Sequence, residues 1–231
     1  MANKNQLVLT YGPWAVVTGA SSGIGKAFAE QLADAGTNLV LVARRENILE
    51  KMAADFERKG VDVRIIQADL ANEDEASAIA TQTADLDVGL LVASAGFGTS
   101  GEFASGSLEA ELKMLDVNCR ALLMMSHQFS QRFKAQGRGG MILLSSILAF
   151  QGAGNSAHYS ATKGYVHQLA EGLAQELEPH GVDVLACAPG PTMTGFATAA
   201  GMQMGSGLTP DTVAKETLQK LGRRRTVLPG G

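Results

Sequence analysis

The run Trp14-Ala15-Val16-Val17-Thr18-Gly19-Ala20-Ser21-Ser22-Gly23-Ile24-Gly25-Lys26 passes from branched apolar residues through a glycine-rich turn into a helical pattern continued by Ala29, Leu32 and Ala33. The first part favours a buried strand and the last a helix packed on it. Between them, Gly19, Gly23 and Gly25 let the backbone turn sharply and approach a ligand closely. The free amides and dipole at the start of the helix attract negative charge, and Ser21, Ser22 and Ile24 complete the turn. A glycine-rich turn alone also serves as a plain strand-helix connection. Three glycines and two hydroxyls between a buried strand and a helix point instead to a nucleotide pyrophosphate, in the spacing Gly-x-x-x-Gly-x-Gly.

Working outward, short branched runs alternate with helical patterns along the whole chain. Strands are expected at 14–17, 38–42, 63–66, 89–92, 141–144 and 182–185, with a short last one at 226–228. Helices are expected near 23–35, 46–58, 73–83, 107–135, 157–178 and 210–221. Hydrophobicity that is nearly continuous, rather than alternating, marks strands covered on both faces. The fold class is therefore α/β: a doubly wound, Rossmann-type parallel sheet of six or seven strands with helices on both faces. Residues 1–231 are read as one domain, with the Gly-, Met- and Thr-rich stretch 190–210 as a flap over the site.

Ligands of such sheets lie at the carboxyl ends of the strands. The second strand ends at Ala43-Arg44-Arg45, where a dinucleotide fold usually places an acid for the ribose hydroxyls. Ala43 removes a charge that would repel a 2'-phosphate, and the planar fork of Arg44 suits one, so NADP(H) is favoured over NAD(H). Arg45 is the better candidate for a merely solvated charge. After the third strand, Asp69-Leu70 offers an acceptor for the adenine amino group, or an N-cap for the helix near Glu73.

Ser145-Ser146 and Tyr159-Ser160-Ala161-Thr162-Lys163 form a polar cluster leading into a helix, on which Tyr159 and Lys163 share a face. A cation ~4 Å from a phenol at an effective dielectric of ~20 is worth roughly 4 kcal/mol, which would lower the tyrosine pKa by about 3. Such a group suits proton transfer near neutral pH. A Tyr and a Lys four apart also occur together by chance.

With 45% hydrophobic and 18% charged residues among 231, the chain supports one substantial core. A net charge of -4 gives no global attraction to nucleic acid or anionic membrane. Arg223-Arg224-Arg225 follows a helix end, where cations are favourable. Cys119 and Cys187 lie in apolar runs as core residues, and Met1 to Asn5, with one Lys, is followed by an apolar stretch too short for a signal peptide. A cytoplasmic location is expected. His127, His158, His167 and His180 show no metal-ligand spacing, so no metal is expected.

These features together resemble the compact form of the short-chain dehydrogenase/reductase family, over nearly the whole chain. Thr18 to Gly25 is similar to its cofactor turn, Asn118 to its helix asparagine, and Tyr159 with Lys163 to its Tyr-x-x-x-Lys pair. Ser146 stands thirteen residues before Tyr159, the family's separation for its serine, which selects it over Ser145. Pro189-Gly190 with Thr192 and Thr194 resembles the segment that cradles the nicotinamide. The resemblance implies that Tyr159 donates a proton to the substrate oxygen while Ser146 hydrogen-bonds it. It implies further that Lys163 lowers the tyrosine pKa and holds the ribose, and that Asn118 positions a water toward solvent. A homo-oligomer, dimer or tetramer, is also implied. The family's Asn-Asn-Ala-Gly stands here as Ala93-Ser94-Ala95-Gly96, which keeps the backbone approach to the cofactor but loses both amides.

Phe97, Ile147, Leu148, Phe150, Phe196 and Met193, with Met202 and Met204 of the flap, give the expected substrate wall an apolar, adaptable character. A hydrophobic ketone fits it better than a polar sugar, although some of these side chains serve equally to pack the flap. Tyr11 to Val17 resembles the long-chain ketoacyl and hydroxysteroid reductase branch. His158, beside Tyr159, is either a substrate contact or an ordinary loop histidine. The expected function is reduction of a hydrophobic carbonyl compound by NADPH. The alternatives are a nucleotide sensor without turnover and, disfavoured by length and glycine spacing, a sugar-nucleotide epimerase.

Overall fold

A computed structural model describes residues 6–196, 200–201 and 207–231. Met202 and Met204 lie outside the described residues, as do Met1 to Asn5 and part of the 190–210 stretch. In chain order the elements are α1 (Gln6–Tyr11), β1 (Trp14–Thr18), α2 (Gly23–Asp34), β2 (Asn38–Ala43), α3 (Glu46–Glu57), β3 (Val63–Gln67) and α4 (Glu73–Thr81). There follow β4 (Val88–Ala93), α5 (Leu108–Leu115), α6 (Leu122–Gln136), β5 (Gly139–Leu144), α7 (Ala157–Leu177), β6 (Val182–Cys187), α8 (Pro210–Lys220) and β7 (Thr226–Val227).

The seven strands form one sheet in the order β3-β2-β1-β4-β5-β6-β7, and every pairing is parallel. Parallel neighbours require crossovers, and the helices supply them on both faces. One core layer packs Phe129, Phe133, Met125 and Ile79 against the sheet, and the other packs Phe28, Leu32 and Leu49. Phe28, Phe129 and Phe133 are completely buried, each contributing about 1.5–3 kcal/mol of apolar burial. The order reverses between β1 and β4, which opens a crevice at their carboxyl ends.

Three details depart from the sequence reading. The long helix expected over 107–135 is two α-helices joined by a π-helical segment, Asp116–Ala121, which adds a residue to the turn and turns Asn118 inward. The N-cap of α4 is Asn72, whose side chain accepts from Asp74 N at 3.0 Å, not Asp69. The helix α1 carries no pattern of its own. Its Tyr11 is buried and donates its hydroxyl to Asp183 Oδ2 at 2.8 Å, a contact spanning most of the chain.

Candidate active site

A cavity of about 640 Å³ runs along the crevice. At one end the turn after β1 leads into α2, whose N-cap Ser22 makes no side-chain capping bond, which leaves the first helical amides without that partner beside the cavity. Gly19 has a φ of +66°, and a Cβ there would sit 2.9 Å from the Ala95 Cα, so only glycine allows the turn to meet the end of β4. Thr18 Oγ1 accepts from the amides of Ser94 and Ala95, both at 3.1 Å, and fixes that contact. Ser21, Ser22, Gly23, Ile24 and Gly25 border the cavity here, as do Ser94, Ala95 and Gly96. This cradle, open to an anion and closed to side chains, fits the pyrophosphate of a dinucleotide.

Beyond the cradle, Arg44, Arg45, Asp69 and Leu70 border the same cavity. Arg45 donates to Ser21 Oγ through Nη2 at 2.9 Å and Nε at 3.3 Å. It is therefore anchored to the turn rather than a free charge, a contact between residues 24 apart that strand-end chemistry alone does not reveal. Asp69 Oδ2 lies 3.6 Å from Lys113 Nζ, and Lys113 also borders the cavity. Ala43 completes this end with no side-chain charge.

At the other end stand Ser146, Tyr159 and Lys163, all buried. Ser146 follows β5 in extended backbone, and its Oγ accepts from Leu148 N at 3.2 Å. Ser145 is instead a structural tie, with Oγ donating to the Lys163 carbonyl at 2.9 Å. Lys163 lies one helical turn beyond Tyr159 on α7 and donates from Nζ to the Leu144 carbonyl at 2.8 Å. Its Nζ is 5.8 Å from the centre of the Tyr159 ring.

Burial pushes the Tyr159 phenol up to about 12, and the neighbouring Ser146 hydroxyl pulls it back. Burial pulls the Lys163 ammonium down to about 8. The tyrosine shift thus runs opposite to the fall expected from Lys163, because desolvation penalises the phenolate more than this distant ammonium stabilises it.

Asn118, held inward by the π segment and almost wholly buried, grips the backbone of Phe97: Oδ1 accepts from its amide at 3.1 Å and Nδ2 donates to its carbonyl at 2.9 Å. Nδ2 also donates to Thr162 Oγ1 at 3.1 Å. A Cβ at Gly96 would lie 3.0 Å from Asn118 Oδ1 and 3.4 Å from Lys163 Nζ, so both polar atoms converge on that glycine. The Asn118 amide is in the first place a clamp on the loop after β4.

Pro189, Gly190, Thr192 and Thr194 border the cavity after β6. A bridge joins Thr192 to Leu208, with Met193 N donating to the Leu208 carbonyl at 2.8 Å. Phe97, Ile147, Leu148 and Phe196 line the apolar wall, and the Phe196 ring lies 5.4 Å from that of Tyr159. Phe150 does not line the cavity. Its ring packs edge-on against His167 at 4.6 Å, because the short 3₁₀ turn after Ser146 rotates it toward α7. Met193 is likewise turned to solvent. Among the described residues no group of three or more His, Cys, Asp or Glu is placed to hold a metal ion, and no helix is long and apolar enough to cross a membrane.

Residues 13–204 match the family model described as short chain dehydrogenase. The chain is 32% identical to a 7beta-hydroxysteroid dehydrogenase of Collinsella aerofaciens, over 95% of this chain and 87% of that one. Among solved structures it is similar to a short-chain dehydrogenase from Sphingobium yanoikuyae in complex with NADPH, with 32% identity, a TM-score of 0.89, and 94% and 88% of the two chains covered. It is similar also to the bulky-bulky ketone specific alcohol dehydrogenase from Comamonas testosteroni, with 29% identity, a TM-score of 0.85, and 95% and 86% covered. With this fold and this extent of match, the chain belongs to the short chain dehydrogenase family, as an oxidoreductase of CH-OH and C=O groups.

Proposed function

We propose that the protein reduces hydrophobic ketones with NADPH, using Tyr159 as the proton donor. The observation that carries this reading is the arrangement of one cavity with two ends. An anion cradle flanked by two arginines lies at one, and a buried phenol, hydroxyl and ammonium lie at the other, beside an apolar wall. Relatives named for hydroxysteroids and for bulky ketones support the substrate class.

The cradle residues Ser21 to Gly25 would hold the pyrophosphate, and Arg44 with Arg45 the 2'-phosphate, since among the described residues Asp69 is the one acid bordering that end. When bound, the nicotinamide supplies the hydride. Ser146 hydrogen-bonds the substrate oxygen and Tyr159, held as the neutral phenol by its raised pKa, gives it a proton. Lys163, at about 8, exchanges protons near neutral pH and so can return one to Tyr159. Asn118 Oδ1, facing the same glycine as Lys163 Nζ, is placed to extend that path through a water. The reading includes a single cofactor-binding domain with a flap at 190–210, and a cytoplasmic protein. It also includes a homo-oligomer, for which exposed Leu108, Leu112, Leu123 and Tyr165 on α5, α6 and α7 offer apolar surface.

The test is NADPH oxidation over acyl, steroid and aromatic ketones, with Tyr159→Phe as the control. Turnover should fall by about 10²–10⁴ while NADPH affinity holds. Unchanged turnover in the variant refutes the role of Tyr159. Tight NADPH binding with no ketone consumed across the panel replaces the enzyme by a sensor.

A further inference from the structure

Outside the residues assigned above, one polar cluster is both buried and aimed at the reactive helix. Glu111 projects from the first turn of α5 with its side chain 12% exposed. Its Oε1 accepts from Thr99 Oγ1 at 2.7 Å, and its Oε2 meets His158 Nδ1 at 2.7 Å. An ionised carboxylate only accepts, so the hydrogen lies on Nδ1 and the imidazole donates. The two oxygens thereby join three segments: the loop after β4, α5, and the start of α7 at the residue before Tyr159.

That loop forms a wall of the reaction centre. A Cβ at Gly98 would sit 3.1 Å from Tyr159 Cδ2 and 2.9 Å from Phe196 Cζ, so the backbone there lies directly against the phenol. The loop is held at three points: Phe97 by Asn118, Thr99 by Glu111, and Gly101, whose amide donates to the Asn155 carbonyl at 2.9 Å. Of the three, only Glu111 also contacts the residue adjoining Tyr159. A carboxylate kept away from water is costly unless both oxygens are satisfied, as they are here.

Resting on the reading of Tyr159 as proton donor, we infer that Glu111 is a positioning residue, which through Thr99 and His158 sets the loop 97–101 against the Tyr159 ring and so fixes where a ketone meets the phenol. It needs no contact with the substrate. Displacement of a reacting group by about 1 Å costs on the order of 10²-fold in rate. Among the described residues Glu111 is the single ionisable side chain at ion-pair distance from His158.

The experiment compares Glu111→Ala and Glu111→Gln with the wild type, measuring ketone kcat and KM separately and NADPH affinity without ketone. Glu111→Ala should lower kcat/KM for the ketone by about 10²-fold and leave NADPH affinity near the wild-type value. Glutamine can still accept from Thr99 and bond the imidazole, so Glu111→Gln should restore most of the rate. The amide can also turn over, its oxygen accepting from the imidazole Nδ1–H and its nitrogen donating to Thr99 Oγ1, so either tautomer of His158 is served. A ketone kcat/KM for Glu111→Ala within about threefold of wild type, or an equal loss in NADPH affinity, overturns the inference. Should Glu111→Ala fail to fold, Thr99→Ala, which removes the same tie from the loop side, takes its place, and a ketone kcat/KM within about threefold of wild type overturns the inference. If Tyr159→Phe turns over normally the function itself is at fault. If that variant is dead and Glu111→Ala is normal, only the positioning role fails.

Discussion

Replacing Lys163 by Met should stabilise the cofactor-free protein at neutral pH while abolishing its turnover. Burial holds the Lys163 ammonium at about 8, against an ordinary value of 10.5, and at about 1.4 kcal/mol per tenfold that difference is roughly 3 kcal/mol. Below pH 8 the lysine is charged in both folded and unfolded chains, and the fold bears this cost in full. Between about 8 and 10.5 the unfolded chain binds more protons than the folded one, so the stability of the wild type rises with pH and the cost disappears. Methionine fills nearly the same space without charge, and loses the bond to the Leu144 carbonyl, worth about 1 kcal/mol. The net gain near pH 7 is about 2 kcal/mol, or some 4–8 °C in Tm for a chain of this size. Tyr159 titrates in the opposite sense. Its folded value of about 12 lies above 10.0, so stability falls as pH rises past 10, but it does so in both proteins and cancels in the difference. Thermal unfolding of the two proteins without cofactor, from pH 7 to pH 10, measures that difference directly. It should be largest at pH 7 and vanish toward the alkaline end. A Lys163→Met protein less stable than wild type, or an advantage that does not change with pH, would refute the reasoning.

Other expectations concern the cofactor end and the loop clamp. Arg45→Ala and Arg44→Ala should each weaken NADPH by about tenfold or more and NADH far less, read from inhibition or fluorescence titration; equal losses for both cofactors would remove the 2'-phosphate role. Gly19→Ala must adopt a positive φ and push its Cβ into the Ala95 backbone, so it should cost about 1–3 kcal/mol in unfolding and at least tenfold in NADPH affinity. Asn118→Leu leaves the Phe97 amide and carbonyl without partners, and denaturant unfolding should register about 1–3 kcal/mol of lost stability, accompanied by faster amide exchange at Phe97.

The sheet is legible because its strands are covered on both faces, so burial writes itself into uninterrupted runs such as Leu39 to Ala43 and Val88 to Ala93. Where a strand begins on glycine the signal fades: β5 starts at Gly139-Gly140, two residues before the apolar run. The π segment at Asp116–Ala121 is invisible in sequence because α and π turns favour the same residues. Within it Asn118 bonds the backbone of Phe97, 21 residues away, a partner that local sequence does not show. Nor does a six-residue helix such as α1 form from propensity; Tyr11 and Asp183 hold it from opposite ends of the chain.

Within the site, local spacing carries the glycine turn and the Tyr159-Lys163 pair, whereas partnership across elements is silent. Glu111 reads as an ordinary acid in the first turn of a helix, and Arg45 as an ordinary charge at a strand end, until folding brings Thr99, His158 and Ser21 to them. The sign of the Tyr159 shift has the same origin. Spacing supplies the neighbour but not the depth, and depth decides the outcome. A lysine at the surface beside a tyrosine favours phenolate, but here the ammonium is itself desolvated and spent on the Leu144 carbonyl. Lysine, at about 8, therefore titrates well before tyrosine, at about 12. A phenol raised this far stays protonated at neutral pH, which is the form the proposed proton donor needs.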